Sequence, residues 1–506
     1  PKAKPETEGV DPSPNCCPGC GARRMRQAWM SRFTSFTDAP LSVVIDRLFD
    51  LLSETGNQSL GTAHGDAAKI EKPVSKILTF SDGRQDAAYF ASDFQRSHTE
   101  FLYRQSIWKA FLRVAADESA TITEVEEELR QLLREASIPH PDRNPELHHK
   151  SYASNEPNQH LRLNRAAKDL DKLAAKRSRE ILLCEFGLPS ARRTSMEALG
   201  LVACHVDEIP DQLIDQTCSI FGWNDRWRRE CARVFLYGLT DEIRLLGAVD
   251  IQDASNYYSE TGGDEAGRPG ILGNKGQPRT FLKKAKLEKE KDIISFQPRM
   301  KKDGKWSQVQ NRIVLLVEKG LGHMPSADTM NDLFDALVES GILVSYPGQG
   351  HQLAWRQNSL SKSDFDWYEC PQCKQIFHKP DLSLLEISQI PNAFRCPAHK
   401  CQGTLRIRQE RSLDKQHYVS LIQRRPISLT AEEHTAQLQP EELSERENRF
   451  RAGEINLLSS STTLELGVDI GELQVVALRN FPPFVSNYQQ RAGRAGRRAD
   501  GLAVTV

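Results

Sequence analysis

The run Tyr488-Gln-Gln490-Arg491-Ala-Gly493-Arg494-Ala-Gly496-Arg497-Arg498 sets Arg491, Arg494 and Arg497 three residues apart, with a glycine inside each interval. Guanidinium groups present planar forks of donors that match phosphate oxygens, and glycine lets the backbone approach such a group closely. A charged surface helix would not ordinarily carry both glycines, because each lowers helix stability by about 1 kcal/mol. The chemistry suggested is phosphate binding. Upstream, Ser459-Ser-Ser461-Thr462-Thr-Leu-Glu-Leu-Gly467-Val-Asp469-Ile470 runs straight out of the strand-like Ile455 to Leu458.

A second chemistry is metal binding. Cys370-Pro-Gln-Cys373 is followed after 22 residues by Cys396-Pro-Ala-His-Lys-Cys401. Two such knuckles can close a tetrahedral four-thiolate site around zinc, usually a structural one that holds a small unit lacking its own core. His378 and His399 are substitute ligands, and disulfides are the weaker explanation in a cytoplasmic protein. Cys17-Pro-Gly-Cys20, with Cys16 beside it, looks like one knuckle of a second ribbon whose other half is expected upstream of residue 1. Of the 11 cysteines, the singles Cys184, Cys204, Cys218 and Cys231 suggest buried thiols.

Elements must hold these groups in place. Lys76 to Phe80 is a short apolar run ending in Ser81-Asp82-Gly83, and Arg84 to Phe94 then takes on helical character. Strands are expected at Ile455–Leu458, Gln474–Leu478 and Leu502–Val506, and a helix at Leu41–Leu52. From 101 to about 250 the pattern is helical, as in Val125, Leu129, Leu132 and Leu133, with few strand signals. From Lys275 to Lys305, eleven Lys or Arg stand against four acids, with Phe281, Phe296 and Trp306 interleaved. That strip suits either a phosphate backbone or a solvated helix face. Two helices, the second capped by Ser326 and stopped by Gly341, precede the strand-like Ile342–Val344 and Gln352–Trp355; helix, helix and hairpin resemble a winged helix.

At 506 residues the chain is expected to divide into three or more units, and a net charge of -1 advertises no global affinity for nucleic acid. No apolar run of about 18 residues and no signal-peptide pattern occurs, so no membrane is indicated and the cytoplasm is the default.

Gln490 to Arg497, QRAGRAGR, resembles motif VI of superfamily-two DEAD/DEAH-type helicases, and Ser461 to Ile470, STTLELGVDI, resembles motif V. Lys76 to Ala88 is similar to motif IV, and Glu433 to Leu438 with Phe450 to Gly453 resembles the segment before motif V. The SDGRQDAA and EHTAQL wordings and the four-cysteine ribbon look like the large MrfA-like helicases, some of which serve phage-defence systems of the DISARM and Druantia kinds. The resemblance implies that Arg494 and Arg497 reach the ATP γ-phosphate and that Gln490 senses the nucleotide. It groups Gly467, Asp469 and Arg491 with the ATP site, Asp469 coupling the ribose side to the arginines. Ser81, Arg84, Ser461 and Thr462 fall on the nucleic-acid face, where Gly467 also allows backbone contact. Neither G-x-x-x-x-G-K-[ST] nor D-E-x-H occurs, so ATP hydrolysis with Mg2+ requires a first lobe outside this chain, and truncation is expected on both sides.

The expected architecture is therefore α/β: a RecA-like helicase C-terminal lobe split by a long, mostly α-helical insertion. Residues 1–30 are linker and partial zinc knuckle, 31–70 helix and loop, and 71–100 the first part of the lobe. Residues 101–306 form the helical insertion with its basic strip, 307–360 a winged-helix-like unit, 365–408 the zinc ribbon, and 409–506 the second part of the lobe. The expected partners are nucleic acid, DNA before RNA, the remainder of a longer helicase polypeptide, and defence-complex subunits. The alternatives are a degenerate nucleic-acid-binding scaffold and a protein-interaction platform.

Overall fold

The computed structural model describes residues 39–58, 76–115, 119–135, single positions between 175 and 187, 195–250 except 225 and 227, 280–282, 293–297, 312–346, 350–362, 367–373, 376–378, positions between 401 and 424, 429–461, 464, 470–471, 473–496 and 501–506. They divide into two compact units. One comprises 32–105, 136–139 and 424–506, and the other 1–31, 106–135 and 140–423.

The first unit holds strands β1 (Ile77–Phe80), β2 (Ala431–His434), β3 (Leu457–Ser460), β4 (Val475–Leu478) and β5 (Leu502–Thr505). Its helices are α1 (Ala39–Gln58), α2 (Arg84–Val114, of which 84–105 fall in this unit), α3 (Pro440–Ala452) and α4 (Val485–Ala492). The five strands form one parallel sheet in the order β2-β3-β1-β4-β5. β1 is central, Ile77 lying opposite both Leu457 and Val475. Lys76 and Gln474, 398 positions apart, are joined by a 3.0 Å hydrogen bond.

Every residue of β1, β3 and β4 is buried, as expected for a parallel sheet covered on both faces. Alternation divides them. Ile77, Leu457, Val475 and Ala477 pack with Leu41, Ile45 and Phe49 of α1 and Phe90 and Phe94 of α2. Leu78, Phe80, Leu458, Val476 and Leu478 pack with Phe450, Ile455, Leu464, Ile470 and Leu473. α1 thus belongs to the lobe, where the sequence suggested a separate helix and loop. α3 starts at Pro440, with the Gln439 backbone N–H donating to the Glu442 carboxylate at 3.0 Å, and ends at Gly453 with φ 80°.

The second unit is less helical than expected. Val202–Val206 and Ser119–Thr121 are strands that pair antiparallel with Asn358–Lys362 on its two sides. Helix Ile122–Glu135 does bury Val125, Leu129, Leu132 and Leu133. Helices Arg312–Leu321 and Ala327–Glu339 precede the hairpin Leu343–Tyr346/Gly350–Leu353; the Ser326 hydroxyl caps the second helix at Thr329 N, 3.0 Å away. The hairpin is part of a four-stranded sheet completed by Thr280–Leu282 and Ile293–Ser295. Those two strands fall within the basic strip, so a helix face does not describe them. Phe296, which the strip seemed to offer to nucleic acid, is fully buried and packs edge-on to Phe334 at 5.2 Å. Cys204, Cys218 and Cys231 are buried thiols as expected, while Cys184 lies outside the described residues.

Inside this unit Arg244 grips Glu197 with two hydrogen bonds, 2.8 and 3.1 Å, and also contacts Asp241 and the Phe186 carbonyl. The same carboxylate accepts the Cys204 backbone N–H at 3.0 Å. Burial pushes the Glu197 carboxyl up to about 7, against the pull of Arg244, and pushes the Cys204 thiol up to about 12. Removing one partner of a buried pair strands the other charge, typically costing about 3–5 kcal/mol. Arg244→Ala is therefore expected to destabilise this unit by about that amount at pH 8, where Glu197 is charged, and by less at pH 5, where it keeps its proton. Urea denaturation at the two pH values checks this.

Candidate functional site

In an open α/β sheet, ligands bind beyond the carboxyl ends of the strands. Here three ends meet. Ser81 follows β1, Ser461 follows β3 and Arg479 follows β4. The ladder continues one step past the strands: Ser81 N–H donates to Ser460 O at 2.9 Å, and Arg479 N–H donates to Phe80 O at 3.0 Å. Ser81 and Ser461, assigned to one face from sequence, are therefore neighbours. Both are buried, and Ser461 Oγ has no hydrogen-bond partner among the described residues. Arg84 is exposed at the first turn of α2, which also carries Asp86.

Sequence reasoning passed over Arg479. Its Nη1 lies 3.4 Å from Ser81 Oγ and 3.4 Å from Asp86, so it ties the β4 end to the loop after β1. A lone arginine after an apolar run carries no spacing signal that could have singled it out.

α4 carries Gln490 on an exposed position and stops at Ala492; Gly493 is its C-cap and Gly496 adopts φ 68°. The helix thus ends between the first two arginines of the run. Arg491 and Arg494 are 2% and 4% exposed. Arg491, grouped with ATP on the resemblance, is turned toward the lobe itself: its Nη1 lies 2.9 Å from Asp82 Oδ1, and its guanidinium lies 5.4 Å from the Phe80 ring centroid. Thr462, Gly467, Asp469 and Arg497 lie outside the described residues.

The metal candidates are in the other unit. Strand Trp367–Glu369 pairs antiparallel with Ile376–His378 on one side and Arg406–Arg408 on the other, and Cys370 follows it directly. The sulfurs of Cys370, Cys373 and Cys401 all lie within 4.8 Å of one another, with Cys370 and Cys401 at 3.6 Å. That is far beyond a disulfide length of about 2.05 Å. It matches the roughly 3.8 Å between thiolates that each bind zinc tetrahedrally at about 2.3 Å. Burial pushes the Cys370 thiol up, but the backbone N–H groups of Cys373 and Gln372 and the facing thiols outweigh it and hold it below its usual range. Gly403 donates its N–H to Cys401 Sγ at 3.4 Å, and a Cβ there would come within 2.5 Å of Cys370 Sγ. Three soft thiols in this arrangement fit zinc. Cys396, Cys17, Cys20, His399 and the side chain of His378 lie outside the described residues.

A parallel five-stranded sheet with hydroxyls at its carboxyl edge and a glycine-interrupted arginine segment after β4 agrees with the RecA-like lobe expected from the sequence. Residues 404–499 match the family described as Helicase conserved C-terminal domain. The chain is 47% identical over 96 residues to Druantia protein DruE of Escherichia coli (strain UMEA 4076-1), covering 16% of this chain and 5% of that protein. It is 46% identical over 68 residues to the uncharacterized ATP-dependent helicase YprA of Bacillus subtilis (strain 168), covering 13% and 9%. Among solved structures, that of the DUF1998 helicase MrfA bound to DNA and AMPPNP is 40% identical over 14% of this chain and 10% of that one, with a TM-score of 0.14. The chain thus spans a small part of the curated relatives it matches. The matched family segment contains β2, β3 and β4, whereas central β1 stands more than 300 residues before it.

Proposed function

We propose that this chain supplies the second motor lobe of an ATP-driven superfamily-two helicase or translocase that tracks nucleic acid. One observation carries the reading: β1 inserts between β3 and β4, so that Ser81 and Ser461 stand side by side on the edge of the sheet that also carries the arginine segment. In the assembled motor, Arg494 and Arg497 stabilise charge on the transferred phosphoryl group, Gln490 senses the nucleotide, and Gly467 and Asp469 contribute on the ribose side. Ser81, Arg84, Ser461 and Thr462 hold the phosphodiester chain. Arg491 acts from behind, keeping α4 against the loop after β1. ATP and Mg2+ come with the first lobe, and zinc holds the cysteine ribbon.

DNA is favoured over RNA, and a role in defence against phage is favoured, by the resemblance to MrfA-like helicases and the identity to DruE. No helix among the described residues is long and apolar enough to cross a membrane, which agrees with a cytoplasmic site of action.

The test is ATP turnover by the polypeptide that carries both lobes. Single-stranded DNA is expected to raise it at least about tenfold, and replacing Ser461 and Thr462 together by Ala is expected to abolish most of that stimulation. Nucleic-acid binding without any ATP turnover would leave the scaffold as the better account, and turnover indifferent to DNA and RNA alike would remove the nucleic-acid track.

A further inference from the structure

The segment between β4 and the arginines exposes more apolar surface than its neighbours. Phe481 is 77% exposed, Phe484 68% and Val485 74%, three large apolar side chains within five residues. Exposed patches of this kind generally mark contact surfaces. Phe481 is not a loose side chain. Its ring lies nearly parallel to that of Tyr488, with centroids 6.3 Å apart and planes inclined by 20°, and Tyr488 packs in turn against the inner layer of Leu78, Phe80 and Leu478. Pro482 and Pro483 follow Phe481 and restrict the backbone.

The surroundings favour one class of occupant. From Arg479 to Arg498 the sequence contains no Asp or Glu, so this segment itself places no like charge against a polyanion. Asn480 and Gln489, next in sequence to Phe481 and Tyr488, are exposed and offer amide donors and acceptors. An exposed flat ring with amides next to it in sequence suits a nucleobase, because every base has a π-face and stacking tolerates any sequence. Phe481 also lies two residues beyond Arg479, which reaches Ser81 Oγ, so the patch adjoins the edge assigned above to the phosphodiester chain.

We propose that Phe481, backed by Tyr488, is a stacking platform for an unpaired base of the strand this lobe tracks. It rests on the motor reading and adds to it a contact with the base, where the other assigned residues meet only the backbone. Its consequence is selectivity for single over double strands, since a paired base has no free face to offer.

The experiment uses the full polypeptide with both lobes, a single-stranded oligonucleotide containing 2-aminopurine, and a fluorescent ATP analogue. Phe481→Ala is expected to weaken oligonucleotide binding about tenfold and to abolish the change in 2-aminopurine fluorescence, with affinity for the ATP analogue unchanged. Phe481→Trp is expected to preserve both oligonucleotide signals. Because Phe481 is exposed, neither change should disturb folding, and a thermal melt verifies that. If Phe481→Ala binds the oligonucleotide as the parent does, the platform is wrong and the patch is a protein contact. If only the ATP analogue is lost, the ring serves the motor's own nucleotide and the proposal falls. If the unaltered polypeptide binds neither ligand, the motor reading itself fails and takes the platform with it.

Discussion

Replacing Arg497 by Ala in the polypeptide that carries both motor lobes is expected to lower ATP turnover by on the order of a thousandfold, the usual cost of losing an arginine finger. Nucleic-acid binding should change little, because the motif resemblance assigns Arg497 to the transferred phosphoryl group and not to the phosphodiester chain. Arg497→Lys should rescue poorly, since a point charge does not reproduce two parallel donors. Steady-state hydrolysis beside oligonucleotide titration separates the two effects. Normal turnover in Arg497→Ala would remove the arginine run from the nucleotide cleft. The outcome also bears on Arg491: held against Asp82 and Phe80, it should matter for the stability of α4 more than for the reaction.

Withdrawal of the zinc proposed for the cysteine ribbon is the second large expected effect. Four thiolates are expected to contribute on the order of 10 kcal/mol to the order of the ribbon, far more than a unit of three short strands could supply from its own core. Chelation should therefore unfold residues around 365 to 408 while leaving the parallel sheet intact. The sheet has its own two apolar layers, and no cluster of metal-ligating side chains lies in it among the described residues. Metal analysis, thiol alkylation and limited proteolysis before and after chelation give the comparison. Protein purified without zinc, with Cys370 and Cys396 alkylated freely, would eliminate the site. Cys370 is fully buried, so protection of that thiol is the sensitive reading.

Four of the lobe's five strands were legible as short runs rich in apolar residues and bounded by polar or turn residues, whereas β2, Ala-Glu-Glu-His, carries no such run and becomes a strand only beside β3. α2 was legible only in part. Its first turns show helical periodicity, but farther along His98, Arg104, Gln105 and Ser106 are themselves buried, so the polar-apolar stripe breaks while the helix runs on to Val114. The place of α1 depends on Leu41, Ile45 and Phe49 meeting Ile77 and Phe90, contacts that no local pattern announces. Ser119–Thr121 is three residues long and becomes a strand only because Asn358–Lys362 arrives beside it. Phe296 shows the opposite error, an aromatic among basic residues that serves the core. In the site, the arginine and cysteine spacings were visible at once. The braces around them, Arg479 to Ser81 and Arg491 to Asp82, exist only after strands distant in sequence are side by side.

The central position of β1 also sets a schedule for biosynthesis. Ile77 and Leu78 are made some four hundred residues before their neighbours Leu457 and Val475. At roughly 5–20 residues per second, that interval is on the order of 20–80 s. Throughout it, an apolar strand and the faces of α1 and α2 have no sheet to join. The nascent chain therefore presents these hydrophobic surfaces long enough to need a chaperone, and slowing translation should lower the yield of correctly folded lobe more than that of the intervening unit.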